Sequence, residues 1–282
     1  PAPAPPPPAT YADRVGERRA AAALARGGSV ATEEAVRGAL RWLVAVQESD
    51  GRWDAARHGA GHGGGGQHRA DAVNRGVRFL VGRQRADGSL AGDAEFFAAL
   101  YCHGMATIAV AECLAMTGDA ALRPAVDRAV AHTLAMQHPH TGGWRYAAGD
   151  RGDTSQCGWQ VMVLATARNA GLGGFEAAEA RARGLASYRV GERPSMAMTA
   201  EALYCRLVLG ASPADASTAE ALAFIGGSTP TPSTANAYAW YYATLASFHA
   251  GGPQWEQWNT RLQAALLPLQ RRDGGPLEGS WD

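Results

Sequence analysis

No stretch of the 282-residue sequence is apolar for the roughly 18–20 consecutive residues that a bilayer-spanning helix needs, so no transmembrane segment is expected. Lysine is absent: all 26 basic side chains are Arg, and 26 acidic ones balance them. A formal net charge of zero removes the electrostatic drive toward nucleic acid, and no nucleic-acid partner is expected. The four cysteines, Cys102, Cys113, Cys157 and Cys205, form no Cys-x-x-Cys pair. Three of them lie in apolar helical runs, which predicts buried free thiols rather than a disulfide framework. Period-two alternation is missing as well, so no sheet is expected.

What is present is a 46% hydrophobic chain with abundant Ala and Gly, long for one compact core but ordinary for a helical array. The leader Pro1-Ala2-Pro3-Ala4-Pro5-Pro6-Pro7-Pro8 has no N–H donor at its prolines and predicts an extended polyproline II spacer. Residues 1–10 are therefore taken as a linker and 11–282 as one domain. A chain opening on Pro rather than Met is expected to be a fragment or a processed form. Export or membrane anchoring through an upstream segment is one expectation, and a linker between cytoplasmic domains is the other.

One local pattern recurs. Arg37-Gly38, Trp42-Leu43, Gln47, Gly51 and Trp53 are followed by Arg75-Gly76, Phe79-Leu80, Gln84, Gly88 and Leu90. A looser copy holds Arg128, Leu134, Gln137, Gly143 and Trp144, and a C-terminal one holds Leu266, Gln270, Gly274 and Trp281. The 133-residue interval between Gln137 and Gln270 has room for three more units of about 44 residues, a period of helical hairpins. Degenerate markers stand at 184–188 and at 223–227. Six amphipathic outer helices are predicted at 33–47, 71–84, 120–137, 175–186, 215–225 and 255–270. Four more apolar, Ala-rich inner helices are predicted at 103–117, 155–170, 196–209 and 235–250. Thr32 and Thr154-Ser155 read as N-cap signals, and Gly118, Gly171 and Gly210 as stops. Where an inner helix belongs, residues 54–70 form a Gly/His run, either a loop or a lost helix. Its His58, His62 and His68 suggest metal, but such a loop has no preorganised geometry.

The Arg-Gly…aromatic-Leu…Gln-x-x-x-Gly-x-Trp pattern resembles the QW motif of squalene–hopene and oxidosqualene cyclases, in full at 37–53 and with Leu90 replacing the last Trp at 75–90. Gly152-Asp153-Thr154-Ser155-Gln156-Cys157-Gly158-Trp159-Gln160-Val161-Met162 is similar to the segment opening an inner helix in the C-terminal half of those enzymes. The resemblance covers roughly residues 33–282. It implies an all-α fold, an α/α toroid of about five to six helical hairpins, where periodicity alone equally allows an open solenoid. Protein prenyltransferase β subunits, lanthipeptide cyclases and complement thioester domains share that scaffold, so fold does not settle function. Gln47, Trp53, Gln84, Gln137, Trp144 and Gln270 are expected to be structural, each Gln amide bridging orphan groups at neighbouring helix ends.

Chemistry is harder to place. The acid cluster with which such cyclases protonate an alkene is missing, and the resemblance places Cys102-His103-Gly104 at the equivalent position. The Asp-Asp-x-x-Asp diphosphate motif is missing too. Asp153 is a candidate helix cap or, on the sharper reading, a general acid at a cavity mouth; His103 is the other catalytic candidate, otherwise a rim or N-cap residue. Cys102, His103 and Cys157 match in part the zinc ligands of lanthipeptide cyclases, but their chain order departs from that family. No metal and no cofactor are expected. Met105, Trp159, Met198, Glu201, Tyr238, Tyr241 and Tyr242 are expected to line an apolar cavity, with 238, 241, 242 and 245 on one helical face. The leading expectation is a domain that binds an apolar, isoprenoid-like molecule or a protein partner without standard cyclase chemistry. The alternatives are a terpenoid cyclase or prenyltransferase using Asp153 or Glu201 as acid, and a zinc-dependent cyclase.

Overall fold

A computed structural model describes residues 8–14, 18–54, 69–182 and 195–281, and the statements below concern those residues. Residues 1–7 of the Pro-rich leader, the histidines of the Gly/His run and the marker at 184–188 lie outside them.

The described chain is all-α. A 3-10 turn (Ala9–Arg14) precedes eleven helices: α1 (Arg18–Ala25), α2 (Val30–Ala45), α3 (Arg69–Gly82), α4 (Phe96–Thr117), α5 (Arg123–Met136), α6 (Thr154–Asn169), α7 (Glu176–Ala182), α8 (Met196–Val208), α9 (Ala216–Gly226), α10 (Ala237–Ala250) and α11 (Gly252–Leu266). No strand occurs among the described residues, only an isolated antiparallel bridge between Gln270 and Trp281. Hairpins repeat along the chain. The apolar helices α4, α6, α8 and α10 pack in succession, and α5, α7, α9 and α11 lie against them. Two apolar clusters result. One joins α4, α5 and α6 around Trp144, Val110 and Leu164; the other joins α8, α10 and α11 around Leu203, Tyr242 and Trp258.

Helix starts differ from the sequence expectation for local reasons. Helix α2 begins three residues before 33, because Ser29 caps it: the Thr32 N–H donates to Ser29 Oγ at 3.2 Å and the Ser29 N–H returns to Thr32 Oγ1 at 2.8 Å. Helix α4 starts at Phe96 rather than 103, with no side-chain cap and with Phe96 at φ +44°, an outlier for a bulky residue. It is 22 residues long with a mean hydropathy of 1.4, long and apolar enough to cross a bilayer by composition. Here it is a core helix, with Leu100, Val110 and Ala111 almost fully buried.

The recurrent motif forms one joint, used four times. Gln47 Nε2 donates to Gly51 O and to Ala72 O in the first turn of α3, both at 2.8 Å. Gln84 does the same with Gly88 O and Ala125 O of α5, and Gln137 with Gly142 O and Ala178 O of α7. The oxygen of each of these three amides accepts from an Arg three residues farther along the helix it has capped: Arg75 at 2.5 Å, Arg128, and Arg181 at 2.7 Å. The last joint reaches back to the start of the chain, Gln270 Nε2 donating to Ala35 O of α2 at 2.7 Å and to Gly279 O at 2.9 Å. Its glycine is Gly279, not Gly274 as spacing suggested, and the third uses Gly142 rather than Gly143. Gly38 stands where the other joints have Arg.

Glycine is required at each turn. Gly51, Gly88, Gly142 and Gly279 have φ between +71° and +99°, and a Cβ on any of them would fall 2.3–2.4 Å from a carbonyl oxygen of the helix that its joint contacts. The motif tryptophans close the turn by donating to the carbonyl four residues before the Gln: Trp53 to Leu43, Trp144 to Thr133, Trp281 to Leu266, at 2.7–2.8 Å. The last long helix also meets the first loop, since Asn259 and Gln263 both donate to Gly27 O at 2.7 Å.

Candidate functional site

The first turn of α6 holds the first polar cluster. Asp153 is 1% exposed, and its Oδ1 accepts from the Gln156 N–H at 2.9 Å and from Ser155 Oγ at 2.8 Å, which makes it the N-cap of α6. Arg145 Nε lies 3.3 Å from Oδ2. Ser155 Oγ is also 2.5 Å from the Tyr101 hydroxyl, whose pKa burial pushes up to about 12. The cap is Asp153, then, and not the Thr154-Ser155 pair that follows it.

Glu201 on α8 is completely buried, and Tyr238 of α10 donates its hydroxyl to Oε2 at 2.8 Å. Gly158 of α6 makes room for the carboxyl, since a Cβ there would sit 1.9 Å from Oε1. Burial raises the Glu201 pKa to about 8; the hydroxyls of Tyr238 and Tyr242 partly offset it, and the nearby Asp153 adds to it. Glu201 therefore carries its proton at neutral pH.

His103 is not at a rim. It lies well inside α4, fully buried, with Nδ1 accepting from the Leu90 N–H at 3.0 Å and Nε2 3.0 Å from Thr133 Oγ1. Since Nδ1 accepts, Nε2 carries the proton. Thr133 passes the chain on to Gln160 Oε1 at 3.1 Å, and Gln160 Nε2 donates to Leu100 O at 3.1 Å. The imidazole joins the second motif turn to α4, α5 and α6. Burial, chiefly, lowers its pKa to about 3, so it is neutral and already fully bonded.

That also separates the weak zinc candidates. Both His103 nitrogens are used, Cys102 is half-buried beside it, and Cys157 faces the Trp144 backbone with a thiol that burial pushes up to about 12. Among the described residues, no three His, Cys, Asp or Glu side chains are placed to hold a metal ion.

The expected cavity residues divide. Trp159 stacks on Tyr241 (centroids 6.1 Å apart, planes at 14°) and meets Tyr242 edge-on. Tyr242 is fully buried and also contacts Tyr204 and Tyr238, so these rings fill space between α6, α8 and α10. Met198 is half-buried and Met105 is exposed.

An apolar cavity lies elsewhere, in a groove of about 490 Å³ between α10 and α11. Trp240, Tyr241, Thr244 and Leu245 line one wall, and Leu262, Leu266, Leu269 and Trp281 line the other. The sequence marked the first wall by its aromatic run. It missed the second because α11 carries Leu262 and Leu266 as an ordinary amphipathic stripe. Of the expected cavity residues, only Tyr241 belongs to both the central ring cluster and the groove.

Comparison with protein-family models finds no match, and comparison with curated proteins finds no relative.

Proposed function

We propose that the chain is an α/α-toroid repeat domain, similar in its joints to the QW-motif cyclases, that binds an apolar ligand and does not initiate cyclisation. Two observations support the toroid: hairpins following one another with their apolar helices in contact, and the Gln270 joint that ties the last turn to α2. The groove between α10 and α11 carries the binding reading. Its volume falls in the range of small-molecule sites, and its walls are Leu, Ala and aromatic side chains with one Thr.

Acid-initiated chemistry finds no support in the two carboxyls. An alkene demands a strong acid, whereas Glu201 holds its proton up to a pH of about 8 and is a weak one. Asp153 is committed as the cap of α6, accepting hydrogen bonds from Gln156 and Ser155, with Arg145 beside it.

A neutral naphthylamine fluorophore tests the reading. It is expected to bind saturably to the intact protein, and Leu262→Arg, which puts a charge into the groove, is expected to weaken binding at least tenfold without changing the helical circular dichroism. Incubation with squalene or a prenyl diphosphate should yield no cyclised product. A product that disappears in Asp153→Asn would replace this reading with the acid-catalysed one.

A further inference from the structure

We propose that the Gln270 joint carries a binding site for a hydrogen phosphate group, either the free ion or the end of a monoester. The site is separate from the α10–α11 groove and does not depend on it.

The repeat breaks at this joint. In the other three, the Gln amide oxygen accepts from an Arg, and the carbonyl of that same Arg lies against the turn glycine. In the fourth, the carbonyl against Gly279 belongs to Gly38, which has no side chain to offer. Gln270 Nε2 is spent on Ala35 O and Gly279 O, as its counterparts are, but Gln270 Oε1 accepts from no described residue. A pocket of about 340 Å³ is bordered by Gly38, Gln270 and Gly279. An unmet amide oxygen on its wall calls for a hydrogen-bond donor.

The charge around the pocket is positive. Arg37 and Arg41 of α2 and Arg271 and Arg272 of the C-terminal turn line it, against Glu34 and Glu278. Arg271 Nε donates to Asp273 at 3.1 Å, and Glu278 Oε2 takes the Gly274 N–H at 2.8 Å. Arg37, Arg41 and Arg272 make no hydrogen bond or ion pair to a described residue. Arg37 and Arg41 are one turn apart on one face of α2. The positions equivalent to them hold Asn74 and Arg78 at the first joint, and Asp127 and Ala131 at the second. The arginine pair is thus absent from those two joints, which have the guanidinium that this one lacks.

These two features together select the ligand. A cation replacing the missing guanidinium would meet the surrounding arginines. An anion without a proton would turn a bare oxygen toward Gln270 Oε1. Hydrogen phosphate satisfies both, its unprotonated oxygens accepting from the guanidiniums and its hydroxyl donating to the amide oxygen.

Calorimetric titrations of the intact protein in phosphate-free buffer, at about pH 7.5 and fixed ionic strength, test this with inorganic phosphate, phenyl phosphate, sulfate and guanidinium. Phosphate or its phenyl ester is expected to saturate one site, and the tighter of the two identifies the source. Sulfate is expected to bind about fivefold more weakly or worse, the worth of one hydrogen bond. Arg41→Gln should weaken phosphate about fivefold or more. Arg78→Gln, at the equivalent place beyond the first joint, should leave it unchanged. Gly38→Arg, which offers Gln270 Oε1 the guanidinium used elsewhere, should abolish the preference for phosphate over sulfate while the helical circular dichroism is kept. Equal affinity for phosphate and sulfate, saturable binding of guanidinium, or phosphate binding untouched by Arg41→Gln overturns the proposal. So does a failure of both phosphate probes to saturate.

Discussion

Replacing Glu201 with Gln should make the protein more stable at pH 8 and change it little at pH 4.5. Glu201 keeps its proton to about pH 8 in the folded protein, against an ordinary value of 4.5. Between those values the folded state binds one more proton than the unfolded chain, so stability falls as pH rises from 4.5 and the loss is complete above 8. Gln cannot titrate, fits the space beside Gly158 and still accepts from Tyr238. Each unit of displacement corresponds to about 1.4 kcal/mol, so even half the displacement would give Glu201→Gln about 2 kcal/mol at pH 8. For a chain of this size that is a Tm higher by roughly 4–8 °C. His103 sets the opposite limb. Its folded value, about 3, lies below the ordinary 6.5, so its contribution is present above pH 6.5 and is lost as pH falls toward 3. Thermal melts from pH 3 to 9 should therefore show a plateau between about 4.5 and 6.5, with the alkaline decline removed in Glu201→Gln. A wild-type curve flat up to pH 9 would contradict the buried, protonated carboxyl.

Gln137→Ala should cost about 3 kcal/mol or more. The amide feeds two buried carbonyls, Gly142 and Ala178, and takes up Arg181. Truncation strands the two carbonyls, and a buried group left unmatched costs about 1–3 kcal/mol, whereas Arg181 is exposed and returns to water. Gln137→Glu separates hydrogen bonding from shape. It keeps the volume and gives Arg181 a better partner, but turns an acceptor toward two carbonyl oxygens. It should destabilise at least as much as Ala in urea unfolding. If Gln137→Glu behaves like wild type, the joint is held by packing and charge rather than by donation to the neighbouring helix.

These joints were the part of the fold most legible from the amino-acid order, because each is local. Gln47, Gln84 and Gln137 sit four or five residues from the glycine they bond, and the left-handed turn leaves that glycine no substitute. Gln270 was harder to place because its glycine lies nine residues on, after an inserted turn, and only the contact with α2 picks Gly279 over Gly274. The start of α4 was hidden for a different reason: Glu95 and Phe96 carry no capping signal, and Phe96 takes a backbone angle that its type disfavours. His103 was misplaced with it, since its partners Leu90 and Thr133 come from a turn and another helix. Period alone put Tyr238, Tyr241, Tyr242 and Leu245 on one face of α10. It could not say that Tyr242 would be core and Tyr241 a groove wall, because that depends on where α6 and α11 stand.

The groove itself is open to one direct measurement. A neutral farnesol analogue carrying a photoreactive diazirine, irradiated on the intact protein and mapped by mass spectrometry, reports which side chains the ligand touches. Saturable labelling of the segments containing Trp240–Leu245 and Leu262–Leu269, competed by unlabelled farnesol, is the expected result. Labelling centred instead on Tyr101, Trp159 and Met198, or labelling that never saturates, would contradict it.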